Sequence, residues 1–172
     1  AVEEIEKDVN RLSLVADRFS KIGSRPVLEP CKAKRVLSQN LEYISSRASR
    51  KVNFALEIEE EDLELNINPQ LFDWVVENLL KNALDAMEGE GSITVSAGHT
   101  EGKIYIDVSD TGKGLAKSKW NRIFQPGYST KKRGWGLGLS LSRRIIENYH
   151  QGKIFVKSSS IGKGTTFRIL LP

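Results

Sequence analysis

The residues of this chain whose types and spacing could do chemistry form an ordered series. Asn78, Asn82 and Asp85 recur at i, i+4 and i+7 within Asn78-Leu79-Leu80-Lys81-Asn82-Ala83-Leu84-Asp85-Ala86. Asp110-Thr111-Gly112-Lys113-Gly114 follows, then Phe124-Gln125-Pro126, Ser129-Thr130-Lys131 and Gly134-Trp135-Gly136-Leu137-Gly138-Leu139. Asn side chains supply neutral oxygens suited to Mg2+ and N–H donors suited to phosphate, both of which a partly dehydrated magnesium-triphosphate needs. A carboxylate at a glycine turn can accept an exocyclic amine such as that of adenine, and the glycines let the backbone approach the ligand closely. A glycine-rich loop opening a helix turns free N–H groups and the positive end of the helix dipole toward an anion. Taken singly these are a solvated helix face, an Asx turn and, with Lys131, Lys132 and Arg133, a solvated charge run. In this order they point to a purine nucleotide site.

Spacing excludes several other nucleotide and metal motifs. The chain has no Gly-x-x-x-x-Gly-Lys-Ser/Thr and no Gly-x-Gly-x-x-Gly, so P-loop and dinucleotide fingerprints fail. One carboxylate in Asp110 to Gly114 cannot replace the several that a calcium loop requires.

The elements that must position these residues are legible from periodicity. Ile5, Val9, Leu12, Ala16 and Phe19 form a short heptad seam that stops at Gly23-Ser24-Arg25-Pro26, which predicts an amphipathic opening helix. Val36, Leu37, Asn40, Leu41, Ile44 and Ala48 predict a second helix. Val52 to Ile58 and Leu63 to Ile67 alternate as strands around the acidic turn Glu59 to Asp62. Asn68-Pro69 caps a helix reaching about Met87, with Gly89 and Gly91 ending it. Its polar stripe of Asn78, Asn82 and Asp85 lies roughly opposite Phe72, Val76, Leu80, Ala83 and Met87. A hairpin through Ile93, Val95 and Ala97, then Ile104, Ile106 and Val108, leads into Asp110. A short helix near Trp120, a helix over 137–149 and two closing strands complete the chain. Strands and helices mix with hairpins rather than alternating strictly, which predicts an α+β two-layer α/β sandwich with the glycine loops between the layers.

At 172 residues, 39% apolar and 28% charged, the chain is expected to form one globular domain with a short appendage. No window approaches the roughly 20 apolar residues of a membrane span. The start shows no basic-then-apolar leader and Cys31 is the lone cysteine, so a reducing cytoplasmic setting is expected. The net charge of +4 is dispersed rather than gathered into a stripe, which argues against nucleic acid.

The ordered motifs resemble the N, G1, F and G2 boxes of the ATP-binding catalytic domain of sensor histidine kinases, in the GHKL superfamily with the gyrase, MutL and Hsp90 ATPases. The resemblance runs from about Val36 to the end and includes Gly162-Lys163-Gly164-Thr165-Thr166-Phe167 and Leu171-Pro172. It implies a Bergerat fold, a mixed sheet with helices on one face, ATP and Mg2+ as ligands, and a mobile lid over 124–135. It implies Asn82 as the Mg2+ ligand with Asn78 and Asp85 as neighbours, and Asp110 as the adenine-selecting carboxylate. Gly112 and Gly114 would shape the base pocket with Thr165 nearby, while Lys131, Gly134, Gly136, Leu137 and Gly138 would contact the phosphates. Residues 1–25 resemble the end of the second helix of a dimerisation and phosphoacceptor hairpin, which leaves 26–172 as the catalytic domain.

Two departures from the superfamily's pattern bear on activity. Hydrolytic members carry Glu four residues before the Mg2+ Asn; here Asn78 stands there, and Glu77 is rotated about 100° around the helix. That favours phosphoryl transfer over hydrolysis, with Asn78, Asn82 and Lys131 as the catalytic set. The only histidines, His99 and His150, lack the acidic residue and later Pro of the acceptor motif and read as surface residues. The resemblance therefore implies an acceptor histidine outside this chain, a response regulator receiver domain downstream, a parent for which an inner-membrane anchor stays open, and a monomeric isolated fragment. The competing readings are a GHKL-type ATPase module and a non-catalytic nucleotide sensor.

Overall fold

The computed structural model describes residues 26–128 and 138–172; the expected opening helix, and Lys131, Gly134, Gly136 and Leu137, lie outside the described residues. The chain runs β1 (Glu29–Lys32), α1 (Ala33–Ser45), β2 (Val52–Ile58), β3 (Glu64–Ile67), α2 (Pro69–Met87), β4 (Gly91–Thr100) and β5 (Lys103–Asp110). Short 3-10 turns at Lys117–Lys119 and Arg122–Phe124 precede α3 (Gly138–Arg144), and β6 (Lys153–Ser160) and β7 (Gly164–Leu171) close the fold. The expected single helix over 137–149 changes character partway: after Arg144 it widens into a π turn, Ile145–Tyr149.

The main sheet has five strands in the order β2-β4-β5-β7-β6, with β2 and β4 parallel and the other pairs antiparallel. Cross-strand register builds apolar rows. Leu56, Val95, Val108, Phe167 and Val156 form one row, and Ile58, Ala97, Ile106, Ile169 and Ile154 the next. With a side-chain period of two, all of these share one face, against which the helices pack. The opposite face carries Tyr105, Asp107, Lys157 and Arg168, and is held by a bidentate Arg168–Asp107 pair at 2.8 and 2.9 Å. The α+β sandwich expected from the sequence is the observed architecture.

The short strand β1 was not expected; it pairs antiparallel with β3 in a small second sheet, Cys31 opposite Leu65. β2 and β3 both match the sequence reading, but they belong to different sheets.

Helix α2 is the spine of the site, and its start is fixed twice. Asn68 caps it by accepting the Leu71 N–H at 3.1 Å on Oδ1, with Pro69 in the first turn. The N–H of Asn68 donates to His150 Nε2 at 3.1 Å. At the far end the helix stops at Met87 as the sequence suggests, with both Glu88, φ 56°, and Gly89, φ 88°, in the left-handed region. Asn40 ties α1 to α2 by donating to Asp73 Oδ1 at 3.0 Å.

His99 is exposed as expected, but His150 is not: it is 2% exposed. Because Nε2 accepts from Asn68, its proton must sit on Nδ1, which is 3.0 Å from the Ile145 carbonyl. The ring packs 6.0 Å from Phe72. Burial pushes its pKa below the ordinary imidazole value, partly offset by the Ile145 carbonyl. A depressed histidine stabilises the fold above the unfolded pKa of about 6.5, and that contribution is lost as pH falls through the folded value. Thermal melts of wild type and His150→Gln from pH 8 to pH 5 should show wild-type stability falling more steeply below about pH 6.5. Parallel curves would remove His150 as the cause.

Candidate functional site

Register places the proposed base-binding carboxylate between the layers. Ile93 is opposite Asp110, and Ile93 shares the face of Val95 and Ala97, so Asp110 ends β5 on the helix-covered side. It is 8% exposed. Asp110 Oδ1 accepts the Gly112 N–H at 2.8 Å and the Thr165 N–H at 3.3 Å. Both amides thus converge on one oxygen, and Oδ2 has no hydrogen-bond partner among the described residues. Burial raises the Asp110 pKa above the ordinary carboxylate value, and the Gly112 and Thr165 amides pull it part of the way back.

The glycines around Asp110 allow three close backbone approaches. A Cβ on Gly112 would lie 2.5 Å from the carbonyl oxygen of Ala86, so the turn after β5 sits against the last turns of α2. The Lys113 N–H secures the contact by donating to that same carbonyl at 2.9 Å. Gly114, φ +74°, and Gly164, φ +104°, are in the left-handed region, and Cβ atoms there would collide with the Ser160 and Asp110 carbonyls. The structure therefore brings Asp110, Gly112, Gly114 and Thr165 together as one wall, beside the end of α2 that carries Asp85.

The second cluster lies about two helix turns back along α2. The Asn78 amide donates to Ser142 Oγ at 3.2 Å, and the Ser142 hydroxyl donates to the Gly138 carbonyl at 2.7 Å. A Cβ on Gly138 would fall 2.5 Å from Asn78 Oδ1. Asn78 and Gly138 are thus in contact, with fully buried Ser142 joining them. Ser142 carried no signal in the sequence, because a serine at a helical core position reads as neither core nor site. Asn82 is half-buried and Asp85 exposed, on the same stripe of α2.

Among the described residues no group of three His, Cys, Asp or Glu could hold a metal ion. A neutral Asn oxygen with phosphate oxygens is nevertheless a donor set that suits Mg2+, which commonly keeps only one or two protein ligands. A cavity of about 460 Å³ lies on the opposite face of the sheet, lined by residues that include Glu57, Glu59, Asp107 and Arg168. It contains none of the residues singled out by the sequence. No helix among the described residues is long and apolar enough to cross a membrane.

Comparison with known proteins gives this arrangement a family. Residues 67–172 match the family described as Histidine kinase-, DNA gyrase B-, and HSP90-like ATPase. The chain belongs to that family. Sensor histidine kinase ZraS of Escherichia coli (strain K12) is 31% identical over 96% of this chain, which spans 36% of that protein's length. The catalytic domain of histidine kinase ThkA superposes with a TM-score of 0.77 at 26% identity, covering 84% of this chain and 95% of that one. Full-length ShkA, solved in complex with AMPPNP, superposes with a TM-score of 0.75 at 26% identity, covering 97% of this chain and 36% of that one. ZraS and ThkA are histidine kinases, so the kinase branch of the family fits this chain better than the gyrase-like branch.

The raised pKa of Asp110 has a stability consequence. Its contribution is fully present below the unfolded value of about 3.9 and is lost as pH rises through the folded value, so at pH 7 the ionised carboxylate costs stability. Asp110→Asn keeps an oxygen for the two amides and removes the charge. The variant should melt at or above the wild-type temperature at pH 7, and its advantage should shrink as pH falls toward about 4. A large loss of stability at pH 7 would contradict this picture.

Proposed function

We propose that this chain is the ATP-binding catalytic domain of a two-component sensor kinase, transferring the γ-phosphoryl of Mg-ATP to a histidine on another segment or chain. In this reading residues 26–172 are the catalytic unit, and residues 1–25 end the second helix of the hairpin that carries the acceptor. The observation that carries the proposal is the Asp110 carboxylate. Its Oδ1 is occupied by two amides, which leaves Oδ2 to accept a ligand donor beside the glycine turn. An amine on a purine is such a donor, and a purine carbonyl oxygen is not.

The other residues act by holding and orienting. Gly112, Gly114 and Thr165 form the wall around the base. Asn78 and Asn82 face the phosphate region from α2, with Asp85 at the rim. Gly138, with Gly134, Gly136, Leu137 and Lys131 before it, would cover the phosphates. Asn82 would hold Mg2+, whose charge neutralises phosphate oxygens when bound. Asn78 cannot take a proton from water. Its amide is committed to Ser142, an arrangement suited to fixing the two helices rather than to activating a nucleophile.

The chain's own histidines fit the role of acceptor poorly. His150 has both ring nitrogens engaged and is buried. His99 lies six residues along β4 from Ile93, the partner of Asp110, which is roughly 20 Å of strand. By the resemblance, a response regulator receiver domain would take the phosphoryl group next.

Two measurements test the proposal. Asp110→Asn should weaken ATP binding by about 10- to 100-fold, the effect of losing a hydrogen bond to a charged acceptor, while the protein stays folded. Unchanged affinity would sink the assignment of Asp110. Incubation with γ-labelled Mg-ATP, alone and with a separately produced acceptor hairpin of the same parent, should place acid-labile, base-stable label on the hairpin with little free phosphate. Rapid phosphate release by this chain alone would make it an ATPase instead.

A further inference from the structure

A bulge in the edge strand β6 delivers an unforeseen side chain to the base-binding wall. Val156 pairs with Phe167, but the next pair is Ser158 with Thr166, so one extra residue is accommodated between them. In an unbulged strand Ser158 would share the face of Val156; here Ser159 takes that face, opposite Thr165. Ser159 Oγ is then within reach of three groups. It lies 2.7 Å from the Leu115 N–H, 3.1 Å from the Gly164 carbonyl and 2.8 Å from Thr165 Oγ1.

A hydroxyl has one proton and two lone pairs, and these three contacts have a single arrangement that satisfies all of them. The Leu115 N–H can only donate, so it takes one lone pair of Ser159. The Gly164 carbonyl can only accept, so it takes the Ser159 proton. The remaining contact is satisfied when Thr165 donates its own proton to the second lone pair of Ser159. The Thr165 hydroxyl is left with lone pairs alone, on the residue whose own N–H donates to Asp110, whose carboxylate also only accepts.

We infer that Ser159 is a positioning residue for base selectivity: by taking up the Thr165 proton it makes the wall beside Asp110 an acceptor-only surface, selective for a 6-amino purine. The inference rests on the nucleotide reading given under Proposed function. A 6-amino group has two N–H bonds to offer such a surface. A 6-oxo purine sets a carbonyl lone pair against oxygen lone pairs at the 6 position, and its one edge proton sits on N1 instead. Ser159 also fixes the loop 110–115 through Leu115, which keeps the wall in register with the carboxylate.

The test compares ATP with ITP, which carries an oxygen in place of the 6-amino group. Dissociation constants for both are measured on wild type, Ser159→Ala, Ser159→Thr and Thr165→Val, with a thermal melt of each. Ser159→Ala frees the Thr165 proton and should lower the ATP-over-ITP preference by about fivefold or more. Ser159→Thr retains the hydroxyl and should restore the preference, which a merely structural loss would not do. Thr165→Val removes the acceptor itself and should also lower the preference, which keeps the inference open to test if Ser159→Ala folds poorly. Wild-type selectivity persisting in Ser159→Ala or Thr165→Val, with ATP still bound, would overturn the inference while leaving the nucleotide site intact. Wild type that binds no ATP would overturn the nucleotide reading and the inference with it.

Discussion

A carboxylate buried between a sheet and its helices is the constraint around which the described part of this protein is arranged. Removing an ionised group from water is costly unless hydrogen bonds offset it, and Asp110 receives two, both on Oδ1. Each requires backbone to come close. The Gly112 amide reaches back only because its turn rests on Ala86, where a Cβ would meet the carbonyl. The Thr165 amide arrives because Gly164 lies directly over the Asp110 carbonyl in a left-handed conformation. Replacing either glycine would shift an amide away from a carboxylate that has few other partners. The elevated pKa of Asp110 reflects an incomplete offset, burial outweighing the two amides.

The constraint propagates through α2. The helix must hold its last turns against the Gly112 loop and its middle against α3, which demands that it be anchored at its start. Asn68 provides the cap and His150 holds the Asn68 amide, so the π turn after α3 supports the beginning of α2. Ser142 and Asn78 make the second tie between the same helices. The two helices therefore brace each other at two points, and both ties use polar side chains that are at least partly buried, where an unmade hydrogen bond costs most.

The architecture was largely readable in advance because its signals are local. Asn68-Pro69 announces the start of α2, alternating apolar residues announce β4 and β5, and the glycine after Asp110 marks the turn. What the sequence hid was long-range or geometric. β1 is only four residues with Pro30 inside it, and its strand character comes from pairing with β3. His150 sits at a helix end among polar residues, which reads as surface, and only the packing of Phe72 and Asn68 around it reveals burial. The left-handed turn after α2 begins at Glu88, one residue before the Gly89 that signals it. Asn78 could be placed on the polar stripe by periodicity, but its attachment to Ser142 depends on how α3 crosses α2. Ser159 needed the register shift in β6: counting residues by twos along the strand points to Ser158 instead.

The same geometry explains why one family can support both hydrolysis and transfer with little change. On the proposed reading, the wall around Asp110, built from β5, β7 and the loop after β5, has no part in choosing the phosphoryl acceptor. That choice falls to the middle of α2, where a Glu facing the phosphates could activate water and an Asn cannot. Here Asn78 donates through its amide to Ser142, so a carboxylate at that position would place two acceptors together unless the serine turned its proton away from the Gly138 carbonyl. The Ser142 bond thus disfavours the acidic residue in its present form, and under the proposed transfer reading the preference rests on the contact between two helices as well as on one side chain.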